Sequence, residues 1–246
     1  MKSLFQIALL SLGIGAVLMM VSANARILAA PITCVPNTPC VGTNDIDRMT
    51  GTSQNDNMTA LGGNDKMSGN NGDDTMRGGE GADDIKAGGG KDFVDELLDT
   101  SKNVISGGPD NDYVRGGNAD DTINGDDGQD ILHGYVGNDR IRGGIGDDIL
   151  QGLSGNDTLE GGDGNDLLVG DWDTGPISHF GADTLKGGKG DDRLFQSALG
   201  SEPSITPTTP DGHKEVLDCG DGNDEAWGNE NTDHDVFKNC EIVHKG

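Results

Sequence analysis

The chain has 246 residues, of which 42 are glycine and only 4% aromatic, and a formal net charge of −26. Such a composition excludes an ordinary globular core, since too little apolar surface is available to offset chain entropy. It also argues against nucleic acid as a partner, because the 17 Lys and Arg stand singly in the sequence and form no basic patch.

Residues 1–25 read as a targeting segment. Lys2 gives a short positive region, Leu4 to Val21 is apolar with few interruptions, and Ala23-Asn24-Ala25 fits a small-x-small cleavage site. A cleaved secretory signal is expected, with the mature chain starting near Arg26. An uncleaved anchor is the rival reading, since the apolar run approaches spanning length. Residues 26–41 form a short leader with Pro31, Pro36, Pro39, Cys34 and Cys40.

From Gly42 to about Phe195 the chain repeats every nine residues. Sixteen apolar residues keep the beat: Met49, Met58, Met67, Met76, Ile85, Val94, Ile105, Val114, Ile123, Leu132, Ile141, Leu150, Leu159, Leu168, Leu185 and Leu194. Two residues before nearly every one stands an aspartate: Asp47, Asp56, Asp65, Asp74, Asp83, Asp92, Asp112, Asp121, Asp130, Asp139, Asp148, Asp157, Asp166, Asp183 and Asp192. Ile105 is the exception, with Asn103 in that place. Glycines crowd before each acid, as in Gly143-Gly144-Ile145-Gly146-Asp147-Asp148. A short fixed period means one small unit stacked many times. Two segments disturb it. Residues 95–102 add two residues between Val94 and Ile105. Residues 171–180 widen the step from Leu168 to Leu185 to seventeen, one short of two repeats, which leaves room for a degenerate turn.

Residues 42–196 are thus expected to form one repeat domain. Residues 197–213, with Pro203, Pro207 and Pro210, read as a linker. Residues 214–246 leave the strict repeat but hold one echo, Cys219-Gly220-Asp221-Gly222-Asn223-Asp224. Their larger, denser apolar residues suggest an end cap, which a stacked array requires. A carbohydrate or partner site at Trp227 and Phe237 is the other reading. An even number of cysteines in a chain expected to be exported suggests disulfides, most simply Cys34–Cys40 and Cys219–Cys240. A zinc site is a weaker rival, because neither C-x-x-C spacing nor a histidine pair is present.

Glycine tolerates positive φ, so each glycine run can turn sharply and aim backbone carbonyls at one point. The three residues after the acid are expected to form a short strand whose middle member points inward. Two turns and two strands make a coil of eighteen residues, with parallel ladders about 4.8 Å apart. One inner column then holds Met49, Met67 and Ile85, and the other Met58, Met76 and Val94. The methionines read as core filler. Stacking also aligns acids eighteen apart, and nine such pairs are counted: 47/65, 56/74, 65/83, 74/92, 112/130, 121/139, 130/148, 139/157 and 148/166. Carboxylates this close repel unless a cation lies between them. Calcium suits such a place, because it takes six to eight oxygens in flexible geometry, whereas magnesium demands a stricter octahedron. Soft metals want Cys or His, which the repeats lack apart from His133.

The nonapeptide G-G-x-G-x-D-x-U-x, matched best from Gly143 to Leu150, Gly161 to Leu168, Gly187 to Leu194 and Gly78 to Ile85, resembles the repeat of the RTX, or haemolysin-type, calcium-binding family. The resemblance covers about 42–195. It implies an all-β fold, a right-handed parallel β-roll with calcium between successive turns. The fifteen aspartates would be ligands, with carbonyls from turn glycines: Gly78, Gly79, Gly81, Gly116, Gly117, Gly143, Gly144, Gly146, Gly161, Gly162, Gly164, Gly187, Gly188 and Gly190. The turns before Asp47 and Asp56 lack the later glycine, and Asn103 replaces an acid, so those turns are expected to bind weakly or not at all.

Nothing in the sequence reads as catalytic machinery. H-E-x-x-H, G-x-S-x-G and phosphate-loop patterns are absent, and His133 and His179 read as isolated surface residues. Members of the family often join the roll to a protease, lipase, epimerase or pore-forming domain. Here the repeats begin seventeen residues after the expected cleavage point. The expectation is a secreted, non-enzymatic calcium-binding module that folds on binding, structural or adhesive, with calcium ions and a cell surface or glycan as partners. No nucleic acid and no stable membrane span after cleavage are expected. The rival readings are a calcium buffer and a carbohydrate-active or toxin-related accessory. Residues 171–180, with Trp172 and His179, are the one segment proposed for a glycan cleft.

Overall fold

The computed structural model describes residues 31–172, 181–199, 206–207, 213–228 and 234–245. The expected signal segment, His179 with most of the 171–180 segment, and most of the 197–213 linker lie outside them. Among the described residues there are strands and no helix. Strands alternate between two sheets, one of 11 and one of 12 strands, and along each sheet successive strands pair in parallel, except that the short Thr206–Pro207 strand pairs antiparallel with Arg193–Leu199. The result is a parallel β-solenoid of about 10 turns.

The register follows the apolar beat. In one sheet Ile32, Met49, Met67, Ile85, Ile105, Ile123, Ile141, Leu159, Leu185, Leu217 and Phe237 are successive partners. In the other the column runs Cys40, Met58, Met76, Val94, Val114, Leu132, Leu150, Leu168, Leu194, Ala226 and Val243. The two columns meet as one core between the sheets, and most of its side chains are wholly shielded from water. A one-residue slip would turn every inward side chain outward, so burial of one residue per strand fixes the register.

Two expectations are corrected. The strands mostly run six residues, as in Ile149–Ser154, rather than three. The first glycines of each following turn stay in the ladder, as Gly144 does opposite Gly162. Nor does the gap before Leu185 hide a degenerate turn. Thr184–Lys189 pairs directly with Thr158–Asp163, so Leu159 and Leu185 are one coil apart. Beyond the linker, Val216–Asp221 and Glu225–Gly228 extend the two sheets, followed by Val236–Lys238 and Ile242–Lys245. Cys34 is disulfide-bonded to Cys40 and Cys219 to Cys240.

The two outer faces differ. Arg48, Lys66, Lys86, Arg140, Arg142, Lys186 and Lys238, apart in sequence, gather exposed on the 11-stranded sheet. Acids interleave with them: Lys66 meets Asp84 at 2.8 Å and Arg140 meets Glu160 at 3.7 Å. The 12-stranded sheet carries aromatic rings instead. Arg115 lies over Phe93 and Tyr113. His133 is not an isolated surface residue: its ring contacts Tyr113 and Tyr135, and burial lowers its pKa to about 4. Trp227 is stacked between Phe195 and His244 at 4.3 and 4.5 Å. Both of its faces are therefore occupied, whereas Phe237 packs against the core.

The turns impose a tight backbone. Four residues before the aspartate, φ is positive even where the residue is not glycine, as at Leu61, Asn70, Asp126, Tyr135 and Leu153, all between 80° and 84°. A left-handed backbone costs an L-residue roughly 1–2 kcal/mol. Gly146, two before Asp148, has φ 133°, and a Cβ there would strike the Gly128 carbonyl. Denaturant unfolding in saturating calcium is expected to show Leu153→Gly stabilising by about 1 kcal/mol. Gly146→Ala should destabilise by more, while Gly89→Ala, where a Cβ meets nothing closer than 3.3 Å, should be near neutral.

Candidate metal centre

The aspartates of the repeat are buried, from Asp47 at 0% exposure to Asp56 at 4%. Strand pairing carries each turn past the next, and the acids form two ladders along the edges of the coil. Within a ladder the backbone N–H of one aspartate donates to Oδ1 of the next. Asp121 donates to Asp139, and Asp139 to Asp157, both at 2.7 Å. Asp130 donates to Asp148 at 2.8 Å and Asp148 to Asp166 at 2.9 Å. All nine pairs counted in the sequence are joined this way.

The second oxygen is different. Oδ2 of Asp65, Asp74, Asp83, Asp92, Asp112, Asp121, Asp130, Asp139, Asp148, Asp157, Asp166 and Asp192 is buried without a hydrogen-bond partner. In most turns the residue five earlier is a glycine, and there a Cβ would collide with this oxygen and with a carbonyl of the adjacent coil. At Gly143 these atoms are Asp148 Oδ2 and the Gly161 carbonyl; at Gly134 they are Asp139 Oδ2 and the Gly152 carbonyl. Gly116, Gly161 and Gly187 line the same point in their turns. Gly79, Gly117, Gly144, Gly162 and Gly188 follow with positive φ, and Gly81, Gly146, Gly164 and Gly190 supply a second positive φ. The carboxylate and carbonyl oxygens both crowd the space beside this glycine, which Ala60 and Ala87 replace before Asp65 and Asp92.

Sequence reasoning missed part of the ladders. They cross the irregular segments without a break: Asp92 donates to Asp112, Asp157 to Asp183 and Asp166 to Asp192, each at 2.8 Å. They also continue past the repeats, since Asp192 donates to Asp224 at 2.8 Å and Asp224 to Glu241 at 3.0 Å. The Cys219–Asp224 echo was the signal for this. The turns before Asp47 and Asp56 depart in the opposite direction. There the oxygen facing Gly42 or Gly51 accepts the N–H of Thr43 or Thr52 at 2.6 Å and its hydroxyl at 3.0 Å.

No three His, Cys, Asp or Glu side chains form a metal-binding group among the described residues. A cation in this ladder would therefore have carboxylates on only one or two sides and would draw its other ligands from turn carbonyls. An all-oxygen set in a flexible turn is the chemistry of a hard ion such as calcium, and it does not suit a soft metal.

The fold and these turns define a cation-binding repeat solenoid. A family model, the RTX calcium-binding nonapeptide repeat in four copies, matches residues 41–76, 68–95, 106–141, 142–174 and 179–195. More than half of the chain is matched, and the chain belongs to that family. Its repeats are a calcium-binding structural module, found within enzymes but not itself catalytic. No curated protein matches the sequence. No helix among the described residues is long and apolar enough to cross a membrane.

Without metal, burial raises the pKa values of the aspartates in the interior of the stack, and neighbouring carboxylates add to the rise. Asp112, Asp139 and Asp157 reach about 8. Asp83, Asp92, Asp121, Asp148 and Asp192 reach about 7, and Asp74, Asp130 and Asp166 about 6. Unfolded aspartates titrate near 3.9. Between these limits the folded form holds more protons than the unfolded one, so metal-free stability falls as pH rises. In chelator, the β signal in circular dichroism is expected to be stronger at pH 5 than at pH 8. With calcium the order reverses, because the ion displaces those protons. Calcium binding should release protons, and its midpoint should fall to lower concentration from pH 6 to pH 8. A midpoint that does not move with pH would contradict this account.

Proposed function

We propose that this chain is a secreted, non-enzymatic structural module that folds around several calcium ions held by the aspartate ladders. The observation that carries this reading is the buried, unpartnered Asp Oδ2 that shares the space beside a turn glycine with a carbonyl of the adjacent coil, repeated coil after coil. Two bare charges at coil spacing repel by about 3 kcal/mol at an effective dielectric of 20. Many such contacts oppose a core of one large side chain in most strands. A bound calcium ion supplies positive charge between the oxygens and accepts both carboxylate and carbonyl. The carboxylates of Asp112, Asp121, Asp130, Asp139, Asp148, Asp157 and Asp166 lie in the most regular run and are the strongest ligands by this reading. The N-terminal segment and the two disulfides support export to an oxidising, calcium-rich exterior, where the stacked coil serves as a rigid structural or adhesive element.

Circular dichroism of residues 26–246 should change from coil to β on adding calcium at pH 7.5 and revert with chelator, with magnesium a poor substitute. Asp139→Ala should raise the calcium midpoint by about tenfold, equivalent to ~1.4 kcal/mol. Asp47→Ala should shift it far less, since Thr43 already satisfies the facing oxygen. A fully formed β spectrum in excess chelator at that pH would refute the proposal.

A further inference from the structure

In a regular turn an acceptor faces an acceptor: Asp139 Oδ2 and the Gly152 carbonyl converge beside Gly134. Position 103 keeps half of this arrangement and reverses the other half. Asn103 Oδ1 accepts the Asp83 N–H at 2.9 Å, as Asp83 Oδ1 accepts the Asp65 N–H at 2.7 Å. An N–H must meet the oxygen of an amide, so this bond fixes which way the side chain lies. Asn103 Nδ2 then stands where other turns hold the unpartnered oxygen. It donates to the Gly116 carbonyl at 3.5 Å, the counterpart of the Gly152 carbonyl, and to Asp99 Oδ2 at 3.0 Å.

Asp99 is in reach because of the insertion in the same turn. Its other oxygen accepts the Thr100 N–H at 2.7 Å. Glu96, also from the insertion and also buried, accepts the N–H groups of Gly78 and Gly79, the latter at 3.0 Å. Both added carboxylates are thus met by N–H donors. Substitution and insertion explain one another: the amide needs an acceptor, and the additional residues bring one.

We propose that the 95–103 turn is a metal-free joint, in which the Asn103 amide takes the place that a cation takes in the regular turns. The proposal rests on the calcium reading of those turns. The first coil offers a parallel, since the donors of Thr43 and Thr52 fill the corresponding place beside Asp47 and Asp56. The family match also stops at 95 and resumes at 106. In one ladder the hydrogen bonds pass from Asp83 through Asn103 to Asp121 but the run of carboxylates is interrupted there, while the other ladder keeps its acids through Asp92 and Asp112.

Native mass spectrometry at saturating calcium counts ions on the folded chain alone. Asn103→Asp places an oxygen opposite the Gly116 carbonyl and beside Asp99, and should bind one ion more than the wild type. Asn103→Ala should bind the same number as the wild type, while its calcium midpoint rises because Asp99 and Gly116 lose their donor. If Asn103→Ala does not fold, the Asp variant decides alone. An unchanged count in Asn103→Asp, or one ion fewer in Asn103→Ala, would overturn the joint. A wild type that binds no calcium would instead remove the functional reading beneath it.

Discussion

A buried carboxylate oxygen without a hydrogen-bond partner is the constraint on which this molecule turns. In the regular coils a carboxylate Oδ2 is buried without a hydrogen-bond partner, beside a glycine that a carbonyl of the adjacent coil also approaches. Polar atoms buried in this state are costly, and charged ones more so. The glycines, the positive φ angles and the parallel register all help to create these meetings rather than avoid them. Even Leu61, Tyr135 and Leu153 are held in the left-handed region to preserve the turn. Strain kept at so many equivalent positions points to a shared purpose, and on the calcium reading that purpose is to leave room for an ion.

The stack tolerates irregularity because its bonds are local. Each coil touches its neighbours, so residues added at one turn need not disturb the next. Successive acids in the ladder stand 18 apart where the repeat is regular, yet 20, 26 and 32 apart across the irregular segments, with the same N–H to Oδ1 bond. The ends are treated differently from the middle. Cys34–Cys40 lies against the first coil, Thr43 and Thr52 answer the first two acids, and Cys219–Cys240 ties together the last strands.

Much of this was legible in the sequence because period and register are one property here. An apolar residue every ninth position, with an acid two before it, specifies both inner columns and the acid pairs. What escaped was whatever the period does not encode. The bonds from Asp157 to Asp183 and from Asp192 to Asp224 span irregular segments, and only strand pairing reveals them. The six-residue strands were underestimated because glycine reads as a turn residue, although Gly144 also pairs in the ladder. Basic residues that stand singly along the chain come together on one sheet, since residues eighteen apart become neighbours. Asn103 read as a lost ligand, and its bond to Asp99 depends on a loop path that composition does not set.

The assignment of alternate nonapeptides to opposite sheets also constrains how such a chain can change length. Duplicating or deleting a single nonapeptide would keep the core intact, because every repeat offers an inward apolar residue. It would, however, send each later strand to the other sheet. Phe195 and Trp227 would lose the file they now share with Arg115, His133 and Val169, and would come to stand among the counterparts of Glu160, Lys186 and Asp218. Only steps of eighteen leave both surfaces as they are. The interior counts in nines and the exterior in eighteens, so the outer faces, rather than the core, set the unit by which this array can lengthen.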